Sequence, residues 1–109
     1  MPKDWKFVVV WEFRVRADAR ERFEIQYGPQ GEWAALFRQS AEYVQTDLVR
    51  DSEDPLRFLT LDFWKSSAAY EQFRQLHAAE YKAIDARCDA MTESEKEIGR
   101  FVRADQGLV

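Results

Sequence analysis

Hydrophobic residues repeat with two different periods along this chain, and the order of those periods restricts the fold more than any other feature. Apolar residues at every second position predict strands, and apolar residues spaced by three and four predict helices. The first strand is predicted over residues 5–16, where Phe7 and Val9 begin one apolar face. Val8 and Val10 make its second face apolar as well, which predicts a central place in a sheet.

The remaining segments complete a simple order. A helix over Arg20–Tyr27, which Gly28 and Pro29 end, is followed by a helical stretch over about 32–40. Two strands come next, over Tyr43–Arg50 and 58–64. A long helix with an apolar stripe over 70–91, which Ser66 or Ser67 can cap, precedes a last strand over 97–103. This order is βαββαβ, which predicts an α+β, ferredoxin-like fold with a four-stranded antiparallel sheet. Its helices cover one face of the sheet, so we expect two identical chains to pair through the other, apolar face.

The length fits one domain. A chain of 109 residues, 46% hydrophobic, can bury a real core but is too short for two domains. We therefore expect a single domain over 1–109, with its core at about 5–103 and a frayed tail at 104–109. The longest apolar run covers only residues 7–11, and no signal-peptide pattern is present. These features predict a cytoplasmic protein with no membrane partner.

Charge and metal-binding residue types exclude further classes. The formal net charge is -4, from 16 basic and 20 acidic residues, which argues against a nucleic-acid partner because such a partner demands a basic face. One cysteine, Cys88, and one histidine, His77, allow neither an intrachain disulfide nor a closed Cys/His zinc site. No metal site is predicted, although carboxylate ligands stay open, and Cys88 is expected to pack as a small apolar residue.

The third predicted strand carries polar residues on an otherwise aromatic face. Thr60, Asp62 and Trp64 share that face, because side chains alternate along a strand. A carboxylate among apolar neighbours has a raised pKa, so Asp62 is a candidate base. The alternative is an ion pair between Asp62 and a sheet arginine such as Arg50 or Arg100.

Several stretches of the chain resemble the antibiotic biosynthesis monooxygenase family. They are residues 43–51, 54–58, 64–66, Tyr70, Tyr81, Cys88 and 92–101 with Gly99, so that the resemblance spans residues 7–101. The family has the dimeric α+β barrel fold, in which two ferredoxin-like subunits join through their sheets. Its characterised members oxidise polycyclic phenols or quinols with O2 and without flavin, metal or haem.

The resemblance also implies site residues. Trp64 and Tyr70 match a tryptophan that closes the third strand and a tyrosine early in the next helix, which line the family's pocket. An asparagine that some members place four residues before the tryptophan is replaced here by Thr60. A haem-degrading branch shares the fold, and there His77 would be the axial ligand, although that branch spaces its tryptophan and histidine more closely than Trp64 and His77. His77 is otherwise expected to pack against the apolar stripe, or to handle a proton.

Two functions from different classes are consistent with these features. The first is a homodimeric, cofactor-independent monooxygenase that acts on a small hydrophobic phenol or quinol and O2. In it, Trp64 and Tyr70 form the wall, and Thr60, Asp62 or His77 handles protons. The second is a non-catalytic homodimer of the same fold that binds a small ligand or is purely structural. In either case, Trp64 and Tyr70 can instead be plain core aromatics.

Overall fold

The computed structural model describes Pro2 and residues 4–104 of the chain. Its regular elements, in chain order, are β1 (Phe7–Val15), α1 (Arg20–Tyr27), α2 (Glu32–Phe37), β2 (Tyr43–Arg50), β3 (Arg57–Trp64), α3 (Ser67–Leu76), α4 (Ala78–Cys88) and β4 (Thr92–Val102), with short 3-10 turns at Ala17–Ala19 and Asp89–Met91. Because α1 with α2 forms one connection and α3 with α4 forms the other, the predicted βαββαβ order is confirmed.

The four strands form one antiparallel sheet in the order β2-β3-β1-β4. The central strands are β1 and β3, as the two apolar faces of β1 predict. In the register, Asp62 of β3 lies between Val9 of β1 and Thr46 of β2. The chain therefore has the predicted α+β, ferredoxin-like fold, and Asp62 lies on a central strand with a neighbouring strand on each side.

The main core lies between the sheet and the helices. Its buried residues from the sheet include Val9, Phe13 and Phe58, and the helices contribute Phe23 and Phe73. All five are at most 4% exposed. Burying aromatic rings of this size stabilises a small domain strongly, at about 25 cal/mol for each Å² of apolar surface removed from water.

The other face of the sheet is also apolar. Val8, Val10 and Phe63 form a second cluster with Trp5, whose ring contacts that of Phe63 edge-on at 5.2 Å. Phe101, which pairs with Val8 in the register, is left 47% exposed on this face. An exposed aromatic side chain beside a buried apolar cluster marks this surface as a candidate interface.

The structure corrects two details of the predicted elements and confirms a third. The long helix is interrupted at His77, whose φ of -114° and ψ of 27° lie outside the helical range, so that α3 and α4 are separate helices. The last strand begins at Thr92 rather than at residue 97, because pairing with β1 extends to Val15. Ser66 caps α3 by accepting a hydrogen bond from the backbone N–H of Ala69, as predicted.

Within residues 4–104, no helix is both long enough and apolar enough to cross a membrane. The predicted frayed tail at 104–109 lies, apart from Ala104, outside the described residues.

Candidate active site

A cavity lies between the helix-covered face of the sheet and helices α1, α2 and α4. Its lining is aromatic with a few polar groups: Trp11, Phe13, Tyr27, Trp33, Phe37, Thr46, Thr60, Asp62, Tyr81, Asp85 and Glu95. Its volume is about 40 Å³, which is room for a few water molecules. An aromatic ring therefore enters only if side chains of the lining move apart.

Asp62 is the buried carboxylate of this cavity. It is 8% exposed, and its Oδ1 accepts a hydrogen bond of 2.6 Å from Oγ1 of Thr46 on the neighbouring strand. Burial raises the pKa of Asp62 to about 7, and the hydrogen bond from Thr46 only partly opposes that rise. Near neutral pH, such a group can both accept and release a proton, which is the property that a general base needs.

The expected ion pair between Asp62 and a sheet arginine is wrong. Arg100 instead pairs with Glu71 at 2.5 Å and with Glu97 at 3.3 Å, and among residues 4–104 no basic side chain forms a salt bridge with Asp62. The register explains this result, because the strand neighbours of Asp62 are Thr46 and Val9. A carboxylate without a cation keeps the raised pKa that its burial imposes.

A second hydroxyl continues the polar contact away from the cavity. Oη of Tyr43 lies 2.6 Å from Oγ1 of Thr46, so Tyr43, Thr46 and Asp62 form one short chain of hydrogen bonds. Thr46 is 3% exposed, while Tyr43 is half-buried on the edge strand β2. Burial raises the pKa of Tyr43 to about 12, so this phenol stays protonated and can donate to Thr46.

Two exposed carboxylates mark the mouth of the cavity. Asp85 extends from α4 and Glu95 from β4. Desolvation raises the pKa of Glu95, and the negative charges of Asp85 and Asp89 raise it further. With Asp62 inside, every charged side chain of the lining is acidic, and the described lining includes no lysine, arginine or histidine.

Aromatic rings form most of the wall. Trp11 lies on the helix-facing side of β1, so this tryptophan faces the cavity. The rings of Trp33 and Tyr81 meet edge-on at 4.8 Å, and the guanidinium of Arg74 stacks over Tyr81 at 4.0 Å. This cation–π contact holds Tyr81 at the helix side of the cavity.

Trp64 and Tyr70 lie beside the cavity lining rather than in it. They are 0% and 2% exposed, with ring centroids 5.4 Å apart, and Phe37 separates Trp64 from the cavity at 5.7 Å. The indole N–H of Trp64 has no hydrogen-bond partner within the described chain. Oη of Tyr70 accepts a hydrogen bond of 2.8 Å from Arg74. The roles of Trp64 and Tyr70 in a pocket wall stay predictions.

Of the other two predicted site residues, Thr60 lies in the cavity lining and His77 lies outside it. Thr60 is buried in the lining, one step along β3 from Asp62 on the same face. His77 lies at the α3–α4 corner, where its ring stacks on Phe73 at 4.7 Å and its Nδ1 bonds Oε1 of Glu80 at 2.6 Å. Only Thr60 is positioned to contact a molecule held beside Asp62.

The haem alternative does not fit these residues. An axial ligand must project into a haem-sized pocket, whereas His77 is outside the cavity lining, with its ring stacked on Phe73. The cavity itself is about 40 Å³, far below the space that such a macrocycle needs. In the part of the chain that the structure describes, no three His, Cys, Asp or Glu side chains are grouped to hold a metal ion.

Most of the lining was not among the predicted site residues, and two of the missed residues, Trp11 and Thr46, had a usable signal. The period of two puts Trp11 on the same face as Phe7 and Val9, and Thr46 on the face of Leu48. Asp85 and Glu95 had no such signal, because an exposed acidic residue on a helix or an edge strand is ordinary.

Comparison with known proteins agrees with this architecture. A model of the antibiotic biosynthesis monooxygenase family matches residues 6–87. A variant of SnoaB, a cofactor-independent oxygenase from Streptomyces nogalater, has a similar structure, with 18% identity, a TM-score of 0.76, and coverage of 98% of this chain and 100% of that one. A candidate antibiotic biosynthesis monooxygenase from Nitrosomonas europaea shows 16% identity, a TM-score of 0.68 and 95% coverage of both chains. Another from Bordetella bronchiseptica shows 14% identity, a TM-score of 0.70, and coverage of 91% and 97%.

No curated protein matches the sequence significantly. At these identities, the structural likeness establishes the fold.

Proposed function

The chain belongs to the antibiotic biosynthesis monooxygenase family, and we propose that it is a cofactor-independent monooxygenase that oxidises a phenolic or quinol-type aromatic molecule with O2. The observation that carries this proposal is the cavity with Asp62 inside it. A buried carboxylate, free of any cation and facing aromatic rings, suits the removal of a proton from a phenol. SnoaB, which shares the fold, is described as a cofactor-independent oxygenase.

The first step assigned to the site is deprotonation. The phenolic O–H of the substrate breaks, its proton bonds to Asp62, and the ring becomes an electron-rich phenolate. Trp11, Trp33 and Tyr81 hold the ring flat by stacking and edge contacts and exclude water from it. Thr60 contributes a hydroxyl on the same face of β3 as Asp62.

The substrate itself then supplies all the electrons that O2 requires. The phenolate gives one electron to O2, and the resulting radical and superoxide combine into a peroxide on the ring carbon. Loss of water from the protonated peroxide leaves a quinone. For 1-naphthol the balance is C10H8O + O2 → C10H6O2 + H2O, so one oxygen atom enters the ring and the other leaves as water.

We propose that the protein works as a homodimer joined through the uncovered face of its sheet. Phe101 is 47% exposed there and Val49 is 44% exposed, beside the buried cluster of Val8, Val10 and Phe63. A second copy placed on this face buries both side chains without disturbing the cavity, which is on the other side of the sheet. The pairing gives the dimeric α+β barrel that the family resemblance implies.

The small cavity favours a second candidate function. With a volume of about 40 Å³, the site is mostly filled by its own side chains. A homodimer of this fold that binds a small ligand without turnover, or that has only a structural role, is consistent with so small a cavity. The two functions differ in one measurable respect, which is the consumption of O2.

Oxygen uptake with labelled O2 tests the proposal. With 1-naphthol and 1,4-dihydroxynaphthalene, we expect uptake above the rate of spontaneous oxidation, and for 1-naphthol one atom of 18O in the quinone. Asp62→Asn keeps the size of the side chain but cannot accept the proton, so it should lose this activity. If the wild-type protein binds these phenols and consumes no O2, the non-catalytic function is correct instead.

A further inference from the structure

The hydrogen bonds around Asp62 are unequal for its two oxygen atoms. Oδ1 accepts from Thr46 at 2.6 Å, whereas Oδ2 has no hydrogen-bond partner among residues 4–104. Asp62 lines the cavity, so Oδ2 is the acceptor left for a ligand. A carboxylate held at one oxygen presents the other in a fixed direction, which is how a base is oriented before it receives a proton.

Thr46 is itself held in place. Its hydroxyl has one rotatable hydrogen, and Tyr43 occupies its acceptor side at 2.6 Å, so this hydrogen points toward Asp62. The phenol of Tyr43 is fixed in turn by ring contacts with Phe37 at 5.6 Å and Trp64 at 5.3 Å. Trp64 is thus connected to Asp62 by its contact with Tyr43, which bonds Thr46, and it does not line the cavity.

We propose that Thr46 and Tyr43 are positioning residues that anchor Oδ1 of Asp62 and leave Oδ2 as a single, directed acceptor for a substrate O–H. This inference rests on the proposed function, in which Asp62 takes the phenolic proton. It narrows the ligand class to molecules that offer one hydroxyl donor beside a flat ring. A carboxylate with one free oxygen gives no second acceptor for a bidentate donor such as a guanidinium.

The proposal predicts how the pKa of Asp62 responds to each hydroxyl. A hydrogen bond to the ionised carboxylate lowers its pKa, so loss of the Thr46 hydroxyl must raise it. Thr46→Val preserves shape and should raise the pKa of Asp62 by about one pH unit. Thr46→Ser keeps the hydroxyl and should leave the pKa near the wild-type value. Tyr43→Phe should raise it by less than Thr46→Val, since Tyr43 acts through Thr46.

Other titratable groups also face Asp62, and the variants leave all of them but Tyr43 unchanged. They are Tyr43 from β2, Tyr70 from α3, Tyr81 and Asp85 from α4, and Glu95 from β4. The difference between Thr46→Val and Thr46→Ser therefore isolates the hydroxyl bonded to Oδ1.

Carbon-13 NMR of aspartate carboxyls in the full-length protein, titrated from pH 4 to 9, measures these values without any substrate. A pKa of Asp62 in Thr46→Val equal to that of the wild-type protein would overturn the proposal, as would an equal rise in Thr46→Ser. If Thr46→Val does not fold, the pKa of Asp62 in Tyr43→Phe decides the point. A rise of less than about one pH unit above the wild-type pKa supports the proposal, and no rise overturns it.

Kinetics separate this inference from the proposed function. If both hold, Thr46→Val should move the ascending limb of the kcat profile to higher pH and lower kcat about fivefold at pH 7, with KM little changed. If the NMR shift appears but no protein consumes O2, the positioning of Asp62 stands and the monooxygenase function fails. If O2 is consumed and the NMR shift is absent, the monooxygenase function stands and the positioning of Asp62 by Thr46 fails.

Discussion

Oγ1 of Thr46 lies 2.6 Å from Oδ1 of Asp62, where the two side chains are buried on adjacent strands. This contact joins residues from the two arms of the β2–β3 hairpin, and their direct pairing in the register holds them together. One hydroxyl only partly compensates the burial of a carboxylate, so Asp62 retains a pKa of about 7. With this pKa, Asp62 can act as a base near neutral pH, and its ionised form lowers the free energy of unfolding.

Asp62→Asn should lower kcat by about 10² to 10⁴, because the amide cannot accept the phenolic proton. Oxygen uptake with 1-naphthol measures the loss. Glu53→Gln, which removes an exposed carboxylate from the β2–β3 turn, is the matched control and should keep full activity. Equal activity in Asp62→Asn and Glu53→Gln would remove Asp62 from the mechanism.

The stability of the protein should fall as the pH rises from about 4 to 7. In this window the folded state keeps the proton of Asp62, while the unfolded state, in which the aspartate has its ordinary pKa of 3.8, has lost it. The folded state therefore binds more protons, and the free energy of unfolding decreases with pH by roughly 2 to 4 kcal/mol in total.

Urea denaturation of Asp62→Asn between pH 4 and 8 checks the sign. This variant lacks the titrating group, so it should be more stable than the wild-type protein at pH 8 and show a flatter profile. A wild-type protein that gains stability from this group over the same window, so that Asp62→Asn is the less stable of the two at pH 8, would contradict the raised pKa.

Phe101→Glu should convert the dimer to a monomer. The substitution places a charge within the proposed interface, where burial without a partner is costly. Because Phe101 is 47% exposed, the single subunit should still fold. Leu76→Glu is the control, since Leu76 is 73% exposed on α3 and should leave the dimer intact. Analytical ultracentrifugation at micromolar concentration decides, and a monomeric wild-type protein would rule out the proposed pairing.

Trp11→Leu should weaken the binding of 1-naphthol about three- to tenfold, the loss of one aromatic contact in a cavity wall. Calorimetric titration gives the dissociation constant. Trp64→Phe is informative beside it, since Trp64 lies outside the lining and should change stability more than affinity. If Trp64→Phe weakens binding of 1-naphthol more than Trp11→Leu does, the result would instead support the place in the pocket wall that the family resemblance implies for Trp64.

The acidic mouth should discriminate between substrates by charge. Asp85 and Glu95 repel a carboxylate at the entrance, so a hydroxynaphthoate should bind about fivefold more weakly than 1-naphthol at low salt. Added salt screens this repulsion, and Asp85→Asn with Glu95→Gln should remove it. A difference that persists unchanged in the double variant would arise from shape rather than charge.

The sequence by itself determined the order of the strands and helices, the two apolar faces of β1, and the place of Asp62 on the aromatic face of β3. These features follow from hydrophobic periods, which depend only on neighbours along the chain. The interruption of the long helix at His77 was not visible in this way, because the apolar stripe runs through it without a proline or glycine.

Only the tertiary structure decided which partner Asp62 has and which rings surround it. Thr46 rather than an arginine reaches the carboxylate because of the β2–β3 register. Trp11 lines the cavity and Trp64 does not, because the rings of Phe37 and Phe73 pack against Trp64. Both outcomes depend on contacts between residues distant along the chain, such as Thr46 with Asp62 and Phe37 with Trp64. Such contacts set burial, and burial sets the pKa that gives this site its chemistry.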